Sequence, residues 1–115
     1  MPRKNENEPY TRITSEEANK ILEDNEGVVI DVREKDEYIK GHVKGAMLIP
    51  VDQITTRINE LPENDKLLFI CAVGARSGLA CEFAASLGIP EDRLFNIDDG
   101  TPTWIEKGFP SKQGL

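Results

Sequence analysis

Four short apolar runs divide the chain into segments. They occupy residues 28–30, 46–49, 67–70 and 94–97, and they are largely continuous rather than alternating. Such runs are typical of strands that are buried on both faces of a sheet. A weaker pattern at 10–13 predicts a fifth, short strand.

Helical periodicity fills the intervals between these runs. The first helix is predicted after a capping-box pattern at 14–17, and the last begins at the N-cap and proline pair 101–102. Apolar spacing predicts one helix at 54–61 and another at 79–87, which Gly88 ends. Each interval is long enough for the crossover helix that parallel strands require. The pattern therefore predicts an α/β fold with a central parallel sheet.

The length and charge of the chain restrict its partners. The 115 residues suit one domain, for which we expect a flexible tail at 1–9 and a single domain at 10–115. With 14 basic and 21 acidic residues the net charge is −7, which argues against nucleic acid and anionic membranes as partners. Neither a membrane span nor a secretory signal stands out, so we expect a cytoplasmic protein with reduced thiols.

Two cysteines and one histidine restrict the chemistry further. They argue against a disulfide framework and a cysteine-based zinc site, and nothing in the sequence demands a metal or an organic cofactor. Cys81 lies on the predicted helix 79–87, where we expect it to be packing. His42 lies in a turn before a strand, where a structural hydrogen bond is expected. Cys71 is left as the candidate reactive group.

Polar residues gather where the predicted strands end. Asp31 and Arg33 follow the first run, Cys71 closes the third, and Asp98 and Asp99 close the fourth. In open α/β sheets, ligands bind outside the carboxyl ends of the strands. The sequence therefore predicts a site at this edge.

The segment 71–78 joins the most apolar strand to the clearest helix. Gly74 and Gly78 allow a loop whose N–H groups converge above the helix N-terminus, which favours an anion. A cysteine in that position is expected to ionise readily. The alternative interpretation is that Cys71 is a small buried apolar residue. Arg76, at the helix start, is either a cation over the pocket or the partner of an acid.

These segments together resemble the single-domain rhodaneses, a family of sulfurtransferases. The resemblance spans about residues 12–111, and each motif is weak alone, whereas five in this order and spacing are specific. The matching segments are 29–34, 37–38 with 41–46, 49–50, 71–77, and Gly100 followed by 104–110.

The resemblance implies a five-stranded, mainly parallel central sheet with helices on both faces. It also implies that Cys71 accepts a sulfane sulfur from thiosulfate or a persulfide, which could be a protein persulfide, and passes it to cyanide or a thiol. Asp31 and Arg33 would support the loop. The persulfide would be held by the loop residues Ala72, Val73, Gly74, Ala75, Arg76 and Ser77.

One departure and two alternatives stand beside this interpretation. Asp99 occupies a position where the family often has glycine, and we expect a carboxylate at the pocket edge to disfavour anionic donors such as thiosulfate. The first alternative is a phosphatase or arsenate reductase of similar fold. Those proteins have five residues between the cysteine and the arginine of the loop, whereas four residues separate Cys71 from Arg76. The other alternative is a non-catalytic rhodanese-like module that carries sulfur or binds a partner.

Overall fold

The computed structural model describes residues 1–115 and contains eight strands. A six-stranded sheet has the order β1-β2-β7-β6-β3-β5, and β4 pairs with β8 in a separate antiparallel ladder. In chain order the strands are β1 (Arg3–Lys4), β2 (Thr11–Ile13), β3 (Gly27–Asp31), β4 (His42–Val43), β5 (Met47–Leu48), β6 (Lys66–Ile70), β7 (Leu94–Ile97) and β8 (Ser111–Lys112).

The sheet is parallel except at one edge. Only β1 runs antiparallel to its neighbour β2, with Arg3 opposite Arg12 and Lys4 opposite Thr11. The α/β fold and all five predicted strands are confirmed, and β1 is a sixth strand inside the segment predicted as a tail. The boundary between tail and domain stays a prediction.

Four helices connect the strands. They are α1 (Ser15–Glu23), α2 (Lys35–Lys40), α3 (Ala75–Ser86) and α4 (Gly100–Glu106). The predicted helices before 28 and at 79–87 are confirmed as α1 and α3. The last predicted helix is confirmed as α4, although it begins at Gly100 with Asp99 as its N-cap and not at the predicted cap Thr101. Helix α2 was not predicted, although the side chain of Glu37 accepts from the Glu34 N–H in a capping box at its start. None of the four helices is long and apolar enough to cross a membrane.

The predicted helix at 54–61 is wrong. Two 3₁₀ turns, Val51–Gln53 and Ile58–Glu60, take its place. Ile54 and Leu61 are buried, so the apolar spacing is used without a continuous helix. The β-branched pair at 55–56 lowers helix propensity between the two turns.

The sheet separates two apolar cores. Along β6, Leu67 and Phe69 belong to one core, while Leu68 and Ile70 belong to the other, and all four are fully buried. Helix α3 covers the first face, and α1, α2 and α4 cover the second. Burial on both faces explains why the run 67–70 shows no alternation.

Candidate active site

Cys71 lies directly after β6, at the carboxyl edge of the sheet. Three residues, 72–74, connect it to the first turn of α3, and Gly74 has a left-handed φ of 94°. A Cβ on Gly74 would stand 2.9 Å from the carbonyl oxygen of Asp98. Glycine is therefore required by both backbone conformation and space.

The sulfur of Cys71 faces hydrogen-bond donors of the loop. The Gly74 N–H donates to Sγ at 3.1 Å, and the Ser77 Oγ lies 3.3 Å from Sγ. Burial raises the pKa of the Cys71 thiol, whereas the backbone N–H groups of Ser77, Val73 and Gly74 act in the opposite direction. The resulting pKa lies below the ordinary value of a thiol, because charge on the sulfur is favoured by surrounding N–H groups.

The start of α4 holds the backbone of Cys71 from behind. The Cys71 carbonyl accepts from the Thr101 N–H at 2.9 Å and from the Thr101 hydroxyl at 3.0 Å. A Cβ on Gly100, whose φ is 80°, would stand 1.8 Å from the carbonyl oxygen of Ala72. Sequence reasoning assigned Thr101 only a helix cap, because nothing local links residue 101 to residue 71.

Asn96 fixes the far side of the loop and was missed by the sequence analysis. Its Oδ1 accepts from the Ser77 hydroxyl at 2.6 Å, and its Nδ2 donates to the Gly74 carbonyl at 3.1 Å. Asn96 is 1% exposed. The available signal was a single amide within the apolar run 94–97, since a buried amide needs polar partners.

Arg76 is paired with an acid of another helix. Its guanidinium donates to both carboxylate oxygens of Glu37 on α2, at 2.7 and 2.9 Å. These hydrogen bonds lower the pKa of Glu37 to about 2. The pair links α2 to α3, so Arg76 is not a free cation over the pocket.

Asp31 and Arg33 form a buried pair beneath the same edge. The Arg33 Nη2 donates to Asp31 at 2.8 Å and to the Gly41 carbonyl at 2.7 Å. The Asp31 carboxylate also accepts from the Arg33 backbone N–H at 3.1 Å. Neither residue contacts the sulfur through a hydrogen bond, and the pair holds the turn before β4 against the end of β3.

The structure corrects the expected position of the carboxylates. Asp99 accepts from the Ser15 N–H at 3.0 Å and from the Ser15 hydroxyl at 2.8 Å, and so binds the first turn of α1 rather than facing the pocket. Asp98 is paired with Arg3 at 3.0 Å and lies 3.7 Å from Arg12. The physical reason is that helix N-termini and guanidinium groups attract these acids.

His42 and Cys81 are structural. The His42 ring stacks on Tyr38 at 3.6 Å between centroids, and its Nδ1 lies 2.8 Å from the Tyr38 carbonyl. Cys81 is fully buried, and burial raises its pKa well above the ordinary value of a thiol. Trp104 is also fully buried and packs edge-on against Phe109. The burial of Cys81 and the hydrogen bond of His42 agree with the packing and structural roles expected for them.

A cavity of about 390 Å³ adjoins the loop. Its walls include Lys40 of α2, Ala72 of the loop, and Thr101 and Ile105 of α4. Lys40 has no ion-pair partner, whereas the other charged residues of the wall, Arg33 and Glu37, are each paired. The cavity therefore presents one uncompensated positive charge.

A mainly parallel sheet with a cysteine of lowered pKa at its carboxyl edge, directly before a helix, defines a class of α/β domains whose site is built around that cysteine. The family model of the rhodanese-like domain matches residues 14–107, and the chain belongs to this family.

Named relatives agree with this assignment. The chain is 31% identical over 99 residues to a sulfurtransferase of Allochromatium vinosum, which covers 85% of this chain and 91% of that protein. It is 37% identical over 79 residues to the putative sulfur carrier protein YrkF of Bacillus subtilis, covering 69% of this chain. The matched part spans only 42% of YrkF.

Solved structures show the same fold. A rhodanese-related protein from Thermoplasma volcanium superimposes with a TM-score of 0.76 at 30% identity, covering 88% of this chain and 96% of that one. The human single-domain sulfurtransferase TSTD1 gives a TM-score of 0.71 at 26% identity, with coverage of 86% and 96%.

Proposed function

We propose that the protein is a sulfurtransferase that carries sulfane sulfur on Cys71. In the first half-reaction the Cys71 thiolate attacks the outer sulfur of a donor and forms an S–S bond. The donor's own bond to that sulfur breaks, and its electron pair leaves with the remainder, which is sulfite when thiosulfate is the donor. The product on the enzyme is an anionic persulfide.

The second half-reaction restores the thiolate. A cyanide ion or a thiolate acceptor attacks the outer sulfur of the persulfide, and Cys71 leaves with the electron pair of the S–S bond. Charge is conserved in both halves, so no external oxidant or reductant takes part. This sequence predicts ping-pong kinetics.

The observation that carries the proposal is the N–H donor at the sulfur. The Gly74 N–H lies 3.1 Å from Sγ at the start of α3, where the helix dipole also favours negative charge. The same groups would stabilise the thiolate before transfer and the persulfide anion after it. We assign binding of this anion to the loop residues 72–77, and support of the loop to Asp31 and Arg33.

The charges around the loop are compatible with anionic donors. Asp31, Asp98 and Asp99 are each engaged by arginine or by Ser15, and Lys40 is unpaired. The expected penalty against thiosulfate from Asp99 therefore loses its basis. The cavity of about 390 Å³ beside Ala72 also supports a larger donor, such as an organic or protein persulfide. The two unpaired cysteines support a reducing location such as the cytoplasm.

Intact-mass measurement tests the covalent step. We expect thiosulfate or an organic persulfide to add one sulfur atom to the protein, and cyanide to remove it. Cys71→Ser should abolish the adduct, whereas the matched control Cys81→Ser should retain it. If neither donor class forms an adduct, or if the adduct persists in Cys71→Ser, the proposal is wrong.

Turnover separates an enzyme from a sulfur carrier, the second candidate, which the name of YrkF supports. A sulfurtransferase should release many equivalents of thiocyanate from thiosulfate and cyanide, with parallel lines in a double-reciprocal plot. Loading of one sulfur per chain without release to cyanide or small thiols would instead identify a carrier.

A further inference from the structure

The Ser77 hydroxyl lies between two groups that can each accept a hydrogen bond, and it has only one proton to donate. Its oxygen is 3.3 Å from the Sγ of Cys71 and 2.6 Å from the Oδ1 of Asn96. All three residues are buried, so water does not offer a second donor. The direction of this one O–H bond decides whether Ser77 stabilises the thiol or the thiolate of Cys71.

The Asn96 amide fixes that direction. The Gly74 carbonyl can only accept, so the Asn96 atom 3.1 Å from it must be the NH₂ group. The other amide atom, which faces Ser77, is then the carbonyl oxygen, and it too can only accept. Ser77 must therefore donate to Asn96, and the short 2.6 Å distance agrees with this.

The sulfur consequently faces a lone pair of Ser77 rather than its proton. A neutral thiol can donate its S–H to that lone pair, whereas a thiolate cannot. We propose that Asn96 is a positioning residue that holds the Ser77 proton away from Cys71, so that Ser77 stabilises the thiol and the loop N–H groups alone hold the thiolate. A hydroxyl that rotated towards the thiolate would leave the buried Asn96 oxygen without a donor.

The charged groups around the loop are paired, so the balance between thiol and thiolate at Cys71 is open to the influence of Ser77 and Asn96. Arg76 of α3 is neutralised by Glu37 of α2, and Asp31 at the end of β3 by Arg33. On the β2 side, Tyr10 lies near Gly78 and Asn96, and it donates to Glu8 at 3.0 Å. Burial and this hydrogen bond raise the pKa of Tyr10 to about 12, so Tyr10 stays neutral where a thiol titrates.

The sign of one substitution distinguishes the two directions of the O–H bond. In a Cys81→Ser background, which leaves one thiol, we expect Ser77→Ala to lower the pKa of Cys71 by about 0.5–1, because an acceptor for the S–H is lost. A hydroxyl that donates to the thiolate would give the opposite result, a raised pKa. The pKa is measured from the ultraviolet absorbance of the thiolate and, independently, from the alkylation rate against pH.

A second variant tests whether Asn96 acts through Ser77. Asn96→Ala should free the Ser77 proton for the sulfur and so lower the pKa of Cys71 as well. This effect should disappear in Ser77→Ala/Asn96→Ala, whose pKa should equal that of Ser77→Ala. An unchanged effect of Asn96→Ala in the absence of Ser77, or a raised pKa in Ser77→Ala, would overturn the inference.

The inference rests on the proposed function only in that Cys71 is the nucleophile of the proposed reaction. The measurement follows ionisation and needs no sulfur donor. A protein that forms no persulfide yet shows the expected shifts would refute the proposed function and leave the role of Asn96 intact.

Discussion

Two glycines set the position of the sulfur, at the scale of single residues. Gly74 lies against the backbone of Asp98, and Gly100 lies against the carbonyl of Ala72. Both have a positive φ, and neither has room for a Cβ. The carboxyl ends of β6 and β7 are thus joined by two backbone contacts that only glycine permits.

Replacement of Gly100 should disrupt the loop. A Cβ would stand 1.8 Å from the Ala72 oxygen, so Gly100→Ala should destabilise the protein by about 2–4 kcal/mol or prevent folding. The control is Gly108→Ala, which has a similar φ of 76° but nothing within 4 Å, and should cost only about 1 kcal/mol. Urea unfolding measures both, and equal effects would show that the close approach is unimportant.

The sequence predicts part of this arrangement. Cys71, Gly74 and the start of α3 are neighbours in the chain, so spacing and glycine chemistry suffice to predict the loop. Asn96 and Thr101 reach the loop from β7 and α4, and their roles depend on the order of strands in the sheet. No local pattern encodes that order.

At the scale of elements, one ion pair joins the two helices beside the site. Glu37 of α2 and Arg76 of α3 form a bidentate pair, and each side chain is about a third exposed. Solvent therefore screens the pair, and we expect it to contribute less than about 1 kcal/mol. Its value lies in fixing the start of α3 relative to α2.

The pair should have a distinct pH signature. The pKa of Glu37 is about 2 in the folded protein, below its ordinary value of 4.5, so its stabilisation is present above 4.5 and is lost as the pH falls towards 2. The stability difference between wild type and Glu37→Gln should therefore shrink over that interval. The control is Glu60→Gln, because Glu60 is about half exposed and pairs with Arg57 in the same segment, and a smaller effect is expected.

Urea titrations at several pH values measure this difference. A difference that stays constant between pH 5 and pH 2 would show that the Glu37 carboxylate is not the group involved.

Element prediction from the sequence failed in the same region, because α2 has only six residues and too few apolar positions to reveal its period. The segment 54–61 failed for the opposite reason, since apolar spacing there serves two 3₁₀ turns.

At the scale of the whole molecule, the two thiols lie on the same face of the sheet but at different distances from its carboxyl edge. Cys71 and Cys81 belong to the same core, yet Cys71 lies at the sheet edge under a loop of small residues. Cys81 lies within α3 against the sheet, with its Sγ 3.5 Å from the Phe95 carbonyl. Burial raises the pKa of Cys81, whereas loop N–H groups lower that of Cys71.

The two thiols should therefore respond to different motions. In Cys81→Ser, iodoacetamide should label Cys71 through local opening of the loop, without global unfolding, and well below the pH at which free thiols react. In Cys71→Ser, labelling of Cys81 should require global unfolding and be about a thousandfold slower, rising with urea along the unfolding curve. Similar rates and pH profiles for the two variants would contradict the different environments of the two sulfurs.

The double hydrogen bond from Thr101 to the Cys71 carbonyl has a consequence for the persulfide form that the proposed function requires, here called the loaded protein. The cysteine backbone is held from behind by α4, so a second sulfur, about 2 Å from the first, must take its space from the loop. Val73, at the tip of that loop, is 76% exposed. We expect empty and loaded protein to present different surfaces at Val73, so that an acceptor could distinguish them before any sulfur moves.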